Sequence, residues 1–547
     1  MCNRPSSLAQ DQQTSRKEDD DNLLMAPSSV PRRGKRDKVP LAELVNRKRR
    51  KSSKALQRHA NDAPSGGIQS LLPSLIGVAI LVCAVAAKLG FRGRASTAGI
   101  DLGTTNSVIC VQSLAKGVGE IECIKDPANG SPIVPSVVSF LEPSERKVGP
   151  SSKVRSLLDP HPSHVVVGQA AKRRIDSHPH HTLYNAKRVL GRPASDPAID
   201  ELRSEVEFQI TTDTQQEDHD EAAFVVPDSP VPIPPWQVGS YVVHHLIQIT
   251  KDYLGHDNVK SAVICVPAKF GDQQKMRTYQ AFRQAGINVA RVVEEPTAAA
   301  LAYGLHRKEG VDYILVYDFG GGTLDVSLLH VSDGFVDVMG SDGDDRLGGA
   351  DFDAAIAHFL LEHQNGKAIV GRATDALQEL STSVDTTHSG SDLEEQLSSA
   401  CPSLKETPLC TTSSYHTLGE RLKISLSQYP NETVQVQESC LAPPDGSSAP
   451  SLEAFCSSLQ PIELTLTSEE YERSVQPLLV RSVLPVERLL KDLDLQVSDI
   501  DEVVMVGGTT RMPQIRDLVK QALPTSQLNT HIDPDITVAY GAASVID

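Results

Sequence analysis

Aromatic side chains are scarce in this chain of 547 residues: they make up 4% of it, and Trp236 is its single tryptophan. A hydrophobic core must therefore rest on aliphatic side chains. The nine cysteines include no Cys-x-x-Cys pair and no Cys/His cluster, which argues against a disulfide scaffold and against a zinc site. No repeat of 20–50 residues is present, which excludes a solenoid.

The body of the chain is strongly acidic. The net charge is −17, but residues 1–67 carry 15 Lys/Arg against 8 Asp/Glu, and residues 68–98 add three more cations. Residues 99–547 therefore hold a net charge of −27. Such a body repels phosphates, which argues against nucleic acid as a partner. Hydrophobic residues at 39% and charged residues at 22% fit a globular protein of roughly three or four domains.

The N-terminal region predicts a tail followed by a membrane segment. Residues 1–67 are polar and lack apolar periodicity, which predicts a disordered basic tail. Its basic blocks at 32–36 and 47–51 also fit a nuclear-import or nucleic-acid tail. Residues 68–87 carry no charge and are long enough to cross a hydrocarbon layer of about 30 Å. Twelve Lys/Arg lie in 31–58 before this stretch and three follow it, so we expect a transmembrane signal anchor with the N-terminus in the cytosol.

Two alternatives to the anchor stay open. Residues 68–87 would also suit a buried helix, and 84–86 resembles the cleavage site of a signal peptide. Either an anchor or a signal peptide would deliver the body to the endoplasmic reticulum, so we expect a microsomal protein of its membrane or lumen. The Asn-x-Ser/Thr triplets at Asn129 and Asn431 would then meet glycosylation enzymes.

An acidic residue followed by a glycine turn occurs twice, each time between two apolar runs. The first copy lies in 99–111 and begins its turn after Asp101, and the second lies in 313–329 and begins after Asp318. Glycine lets backbone N–H groups approach an anion, and a carboxylate at a strand end can hold Mg²⁺ through water. One copy alone would suit an ordinary hairpin. Two copies, 217 residues apart, predict two related lobes that present their turns to one polyphosphate.

A third segment, 503–516, joins an apolar strand to a helix through Gly507 and Gly508. The free N–H groups of a helix N-terminus favour polar or anionic ligands. Together the three segments resemble the two phosphate segments and the adenosine segment of the actin, sugar-kinase and heat-shock ATPase superfamily. Within it they are similar to the seventy-kilodalton heat-shock protein family, whose further segments follow in order at 185–192, 262–268, 294–304, 347–353 and 533–543.

The resemblance covers 99–547 and implies an α/β fold. The implied fold is the two-lobed actin-like heat-shock ATPase fold, in which the lobes are duplicated ribonuclease-H-like units and the nucleotide cleft lies between them. Lobe I would comprise about 99–310 plus a C-terminal helix at 536–547, and lobe II about 311–535.

The resemblance also assigns roles to individual residues. The phosphates would be cradled by Gly103, Thr104, Thr105, Asn106, Gly320, Gly321 and Gly322. The magnesium shell would be held, mostly through water, by Asp101, Glu295 and Asp318, and Thr323 and Asp325 would complete the metal and water network. Lys187 would position the attacking water and neutralise charge on the transferring phosphoryl group. The implied cofactors are ATP/ADP and Mg²⁺, with K⁺ as a further candidate ion.

On the nucleoside side, the resemblance places three residues of one helical face against adenosine: Glu420, Lys423 and Ser427. The other side of the base would be closed by Gly508, Thr509 and Arg511, with Asp535 nearby. Where the family has an arginine that stacks on adenine, this chain has Ile424. A cation–π attraction of about 0.5–2 kcal/mol is then missing, so we expect weaker nucleotide binding or faster release.

Three insertions interrupt the resemblance, at 195–235, 366–415 and 440–460. Their Pro-rich, acidic or Ser/Thr-rich composition predicts solvated loops rather than sites. Typical family members continue into a β-sandwich that binds peptides and a helical lid. The sequence ends at Asp547, so we expect no peptide-binding domain, as in the microsomal member that consists of the ATPase domain only.

The leading hypothesis is a slowly hydrolysing chaperone ATPase in the endoplasmic reticulum lumen. It would act as a nucleotide-dependent switch or co-regulator whose partners are ATP, co-chaperones, exchange factors or client proteins, and the membrane through 68–87. A catalytically weak membrane-anchored scaffold, a nucleotide-exchange partner of a full-length luminal chaperone and a small-molecule kinase of the same superfamily remain as alternatives.

Overall fold

The computed structural model describes residues 77–78, 81, 97–113, 120–146, 161–175, 177–213, 220–383, 397, 400–429, 433–447 and 451–546. The chain divides into two units, Met1–Cys83 and Ala84–Asp547. The predicted tail at 1–67 and nearly all of the predicted anchor at 68–87 lie outside the described residues and stay predictions. Within the described ranges, no helix is both long and apolar enough to cross a bilayer.

Strands and helices alternate through the second unit. The strands are β1 Thr97–Leu102, β2 Asn106–Ser113, β3 Glu120–Cys123, β4 Val134–Pro135, β5 Val138–Phe140, β6 Val165–Val167, β7 Thr182–Leu183, β8 Gln209–Thr212, β9 Ala222–Val225, β10 Ser261–Val266, β11 Asn288–Glu294, β12 Tyr313–Phe319, β13 Leu324–Ser332, β14 Phe335–Asp344, β15 Gln435–Ala442, β16 Gln460–Thr467, β17 Glu502–Val506 and β18 Gln527–Asn529. The helices are α1 Gln169–Lys172, α2 Ala186–Val189, α3 Pro197–Glu205, α4 Pro235–Leu254, α5 Asp272–Gln284, α6 Glu295–Ala302, α7 Gly349–His363, α8 Gly366–Ser383, α9 Thr412–Leu426, α10 Leu452–Ser458, α11 Ser468–Asp492, α12 Pro513–Ala522 and α13 Thr537–Ser544.

Two sheets of corresponding topology form the framework. The first has the order β11-β10-β1-β2-β3, with β4 beside β2, and the second has the order β14-β13-β12-β17-β18. In each sheet a three-stranded antiparallel meander is extended by two parallel strands. The antiparallel pairs β1–β2 and β12–β13 are the two predicted hairpins, and their turns hold the glycines that follow the two acids. The prediction of two related lobes is confirmed at this level.

The C-terminal helix α13 packs against strand β1 of the first sheet and against α6. A side chain at Gly541 would collide with the Ala298 carbonyl of α6, and one at Gly99 would collide with the backbone of Ala539 and Ala543. Small residues therefore let α13 lie directly against β1 and α6. Val538 and Ala542 of α13 also belong to an apolar cluster that includes residues of β10, α6, β12 and β17, and so of both sheets.

Aliphatic residues dominate the two main cores, one in each lobe, as the scarcity of aromatics predicts. The prediction against disulfides, in contrast, is wrong. Three disulfides are present, Cys110–Cys123, Cys401–Cys456 and Cys410–Cys440, and Cys265 is a buried free thiol. Spacing in the sequence gave no sign of them, because Cys110 and Cys123 meet only through the register of β2 with β3. The other two pairs lie within the insertions of lobe II.

The prediction that the three insertions are solvated loops is also wrong. The first contains α3, β8 and β9, the second contains α8, and the third contains α10. Ile199 and Leu202 of α3 are buried in the core of lobe I, and Leu380 packs with Phe455 in a small separate cluster. Composition hid these elements, because a few well-placed apolar side chains are enough to bury one helical face.

Candidate functional site

A cleft of about 1200 Å³ opens between the two lobes. The structure brings to its walls every residue predicted for the site: Asp101, Gly103, Thr104, Thr105, Asn106, Lys187, Glu295, Asp318, Gly320, Gly321, Gly322, Thr323, Asp325, Glu420, Lys423, Ser427, Gly508, Thr509, Arg511 and Asp535. Residues from segments more than 400 positions apart therefore share one solvent-filled space.

The two glycine turns face each other across this cleft. A Cβ atom added at Gly321 would lie 3.0 Å from Thr105 Oγ1, so the absence of a side chain there favours the close approach of the two turns. The start of α7 is docked onto the same turn, since the N–H of Ala350 donates to the Gly321 carbonyl at 2.9 Å. Thr509 Oγ1 donates to the Gly320 carbonyl at 2.8 Å. The third predicted segment thus supports the second turn directly.

A lysine and several carboxylates lie at the base of the cleft. Lys187 Nζ donates to Glu295 Oε1 at 2.6 Å, and both side chains are about 15% exposed or less. Helix α2 supplies Lys187, and Glu295 is the first residue of α6. Burial by itself would lower the pKa of Lys187, but Glu295 and Asp101 outweigh it and hold that pKa above its usual value. Lys187 is therefore a permanent cation at neutral pH.

Three neighbouring aspartates have pKa values above the usual value of an aspartate. Burial raises the pKa of Asp101 to about 7, with Glu295 adding to the rise and Lys187 opposing it. Burial, followed by Glu295 and Asp325, raises the pKa of Asp318 well above its usual value. Enclosure by the surrounding protein raises the pKa of Asp325 to about 6, although its side chain is 41% exposed to the cleft. Burial, more than repulsion between charges, therefore makes these carboxyl groups costly to ionise in the free cleft.

This carboxylate set fits Mg²⁺. Asp101 Oδ1 is buried without a hydrogen-bond partner, an arrangement that is costly unless a cation or a metal-bound water occupies the space beside it. Hard carboxylate oxygens are the ligands that Mg²⁺ prefers, usually with several waters retained. In the part of the chain that the structure describes, no three His, Cys, Asp or Glu side chains converge into a direct metal cage. Water-mediated holding by Asp101, Glu295 and Asp318 is the arrangement that remains.

On the other wall, α9 presents Glu420 and Lys423, and Ser427 caps its C-terminus. Lys423 Nζ lies 2.7 Å from Asp353 Oδ1 and donates to the Gly349 carbonyl at 3.1 Å, which ties α9 to the start of α7. Ile424 also lines the cleft and is 51% exposed.

Opposite α9, Arg511 Nη2 donates to Asp535 Oδ2 at 2.8 Å and also pairs with Asp533. Gly508 lies close to the same aspartate, since an added Cβ would stand 2.9 Å from Asp535 Oδ1.

Sequence reasoning missed several charged residues of the cleft, and four of them make contacts that bear on the site. Arg188 Nη2 donates across the cleft to the Gly322 carbonyl at 2.5 Å, and Lys269 Nζ lies 4.0 Å from Asp325 Oδ1. Glu201 of α3 pairs with Arg346 of lobe II. Arg188 directly follows Lys187, and Lys269 directly follows the segment 262–268. Their positions next to predicted site segments could therefore have indicated that these two residues belong to the cleft. Glu201 gave none, because it was assigned to a solvated loop.

The sheets of the two lobes have corresponding strand orders, and each lobe presents an acid and a glycine turn to the shared cleft. This arrangement is typical of the class of two-lobed phosphate-binding proteins. The family comparison narrows the class. The model of the family described as "Hsp70 protein" matches residues 97–163, 156–391 and 416–546. The chain therefore belongs to the Hsp70 family.

Individual relatives agree with this assignment. The chain is 34% identical over 447 residues to "Chaperone protein dnaK" of Guillardia theta, covering 81% of this chain and 58% of the relative. It is 34% identical over 454 residues to "Chaperone protein dnaK3" of Thermosynechococcus vestitus, covering 83% and 55%. For "Chaperone protein dnaK" of Thalassiosira pseudonana the identity is 33% over 447 residues, covering 81% and 61%. The chain thus spans somewhat more than half the length of these relatives.

Proposed function

We propose that this chain binds Mg·ATP in the cleft and hydrolyses it to ADP and phosphate, as a nucleotide-dependent switch of the Hsp70 type. One observation carries the proposal. The glycine turns of the two lobes approach each other at Thr105 and Gly321, and the buried Lys187–Glu295 pair lies in the same cleft. Membership of the Hsp70 family supports it.

In the proposed reaction, backbone N–H groups of the two turns and the hydroxyls of Thr104 and Thr105 bind the phosphates. Lys187 Nζ, held in place by Glu295, orients the attacking water and neutralises charge that develops on the phosphoryl group. Phosphoryl transfer depends mainly on alignment and electrostatic stabilisation, so one fixed cation at this point has a large effect.

Asp325 is suited to accept the proton of the attacking water. Its pKa of about 6 lies near neutral pH, where a general base combines a usable ionised fraction with proton affinity. When bound, Mg²⁺ supplies Lewis-acid neutralisation of phosphate charge, and Asp101, Glu295 and Asp318 are the residues that would hold it. Its charge would also favour the ionised forms of Asp101 and Asp318, whose pKa values are raised in the free protein.

Single-turnover ATP hydrolysis tests the proposal. We expect Lys187→Ala and Asp318→Asn to reduce the rate by roughly 10²–10³, the usual effect of removing one transition-state partner. Lys275→Ala is the matched control, because Lys275 also lies near a carboxylate, Glu294, at 3.9 Å, but outside the cleft. Equal rates in the wild type and both cleft variants would contradict catalysis and favour a nucleotide-binding scaffold.

We further propose that the body functions in the endoplasmic reticulum lumen, in the manner of the microsomal branch of the family. The three disulfides support this, because such bonds persist in oxidising compartments. Asn129 is exposed in the loop after β3 and available for modification. Protease protection of microsomes, with a glycosidase shift that is lost in Asn129→Gln, is the expected result. A protease-sensitive, unglycosylated body with reduced cysteines would contradict the luminal location.

A further inference from the structure

A second lysine of the cleft has no part in the reaction described above. Lys269 follows the end of β10 by three residues and lines the same cleft as Lys187. Its Nζ atom lies 4.0 Å from Asp325 Oδ1, and the two side chains are 44% and 41% exposed. This distance is that of an ion pair without a hydrogen bond, so the ammonium group keeps its donors for other acceptors.

The surrounding backbone leaves room for this lysine. A Cβ atom at Gly343 would stand 3.3 Å from Lys269 Nζ, 3.3 Å from Asp325 Oδ1 and 2.4 Å from the Leu324 carbonyl. A residue with any side chain at 343 would therefore push β13 and β14 apart and crowd the lysine. The glycine thus keeps open the space in which the ammonium group faces the carboxylate.

The charged groups around the Lys269 ammonium group indicate its role. Asp318, Asp325 and Glu295 border one small cavity of about 20 Å³ together with Lys269. Lys187 is already engaged by Glu295 at 2.6 Å. A polyphosphate would bring further negative charge into this space. Without Lys269, the carboxylates of this cavity would attract a monovalent cation from solution, and a bound phosphate would add to the attraction.

We propose that the Lys269 ammonium group is a resident monovalent cation of this cleft, standing beside Asp325 where a solvent K⁺ or Na⁺ would otherwise bind. Ammonium is a compact point charge with several donors, equal in charge to K⁺. The inference rests on the proposed ATP hydrolysis, because it assigns Lys269 to that reaction. It makes the cleft independent of monovalent salt identity and removes the need for the K⁺ that the family resemblance suggests.

Thermal unfolding of the metal-free and nucleotide-free full-length chain tests this inference without any activity. The midpoint is measured in KCl, NaCl and N-methylglucamine chloride at one ionic strength. The wild type should show equal midpoints, because its cation site is already filled. Lys269→Gln should unfold a few °C higher in KCl than in N-methylglucamine chloride, since a cation that binds only the folded state stabilises it. Lys275→Gln, with a similarly exposed lysine outside the cleft, should behave as the wild type.

Single-turnover hydrolysis supplies the second readout. We expect wild-type rates within a factor of about two in the three salts, a loss of tenfold or more for Lys269→Gln in N-methylglucamine chloride, and its recovery in KCl. Lys269→Arg should keep a rate independent of the salt. A wild type that needs K⁺, or a Lys269→Gln variant indifferent to salt in both assays, would overturn the inference. Absence of hydrolysis in every salt would instead refute the proposed ATPase, while the unfolding midpoints would still decide the cation site.

Discussion

The Asp101 carboxylate lies at the base of the cleft, where burial and Glu295 raise its pKa to about 7. Its ordinary value in an unfolded chain is close to 4. The folded protein therefore binds this proton more tightly than the unfolded chain does, and stability must rise as the pH falls from about 7 towards 4. Raised pKa values at Asp318 and Asp325 act in the same direction. In the absence of a ligand, the ionised carboxylates of the cleft therefore reduce the stability of the folded protein at neutral pH.

Asp101→Asn tests this strain at the scale of one residue. We expect the variant, free of metal and nucleotide, to unfold a few °C above the wild type at pH 8, because a buried charge has been removed. The difference should shrink towards pH 5 in thermal scans, and stabilisation by Mg·ADP should be lost. Asp257→Asn, at a side chain that is 90% exposed, should change nothing. A lower midpoint for Asp101→Asn at pH 8 would show that the carboxylate is not strained.

Ile424 is the second residue whose identity has a measurable consequence. It lines the cleft on α9 and is half-exposed. An arginine there would add a cation–π contact to a bound adenine, worth about 0.5–2 kcal/mol. We expect Ile424→Arg to bind Mg·ADP roughly 2- to 30-fold more tightly in fluorescence titrations. Ile424→Met provides the apolar control, and equal affinity of both variants would exclude stacking at this position.

Helix α3 shows how one element of an insertion contributes to the cleft. Its residue Glu201 pairs with Arg346 of lobe II. One turn further on, Glu205 lies 3.4 Å from Arg188, which itself donates to the Gly322 carbonyl. The Glu201–Arg346 and Arg188–Gly322 contacts span the mouth of the cleft, so opening the lobes must break them. Exposed pairs of this kind contribute roughly 0.2–1 kcal/mol each.

Charge reversal across the cleft measures that contribution. Arg346→Glu should speed the release of labelled ADP by roughly two- to fivefold, because it replaces attraction by repulsion between the lobes. Combining it with Glu201→Arg should restore the slow release. Arg473→Glu removes an exposed pair within one helix and should leave release unchanged. Additive effects of the two cleft substitutions would show that the pair does not close the cleft.

Particular elements show what the sequence could and could not predict. Both hairpins were predictable, because an acid, a glycine turn and flanking β-branched runs are local features. The strand–turn–helix at 503–516 was predictable for the same reason. Helix α3, the disulfides and the Lys269–Asp325 pair were not, because none of them follows from a local sequence pattern. Their partners become neighbours only through sheet register and the packing of the lobes.

At the scale of the whole molecule, two related sheets are joined by a cluster of apolar residues, mainly valine and alanine. Ala298, Ala299 and Ala300 of α6 pack there with residues of both sheets and of α13. The proposed switch requires one lobe to rotate against the other about this junction. The polar contacts across the cleft mouth and the ligand in the cleft would then set the angle between the lobes.

A calorimetric titration of the full-length chain with Mg·ATP tests most directly whether the two turns hold one nucleotide. We expect saturable heat with one site per chain, and its loss in Gly321→Val, because a Cβ at 321 already lies 3.0 Å from Thr105 Oγ1 and the added methyl groups fill the gap. Gly271→Val, at a position open to solvent, should bind as the wild type does. Absence of saturable heat in the wild type, or unchanged binding by Gly321→Val, would contradict nucleotide binding between the turns.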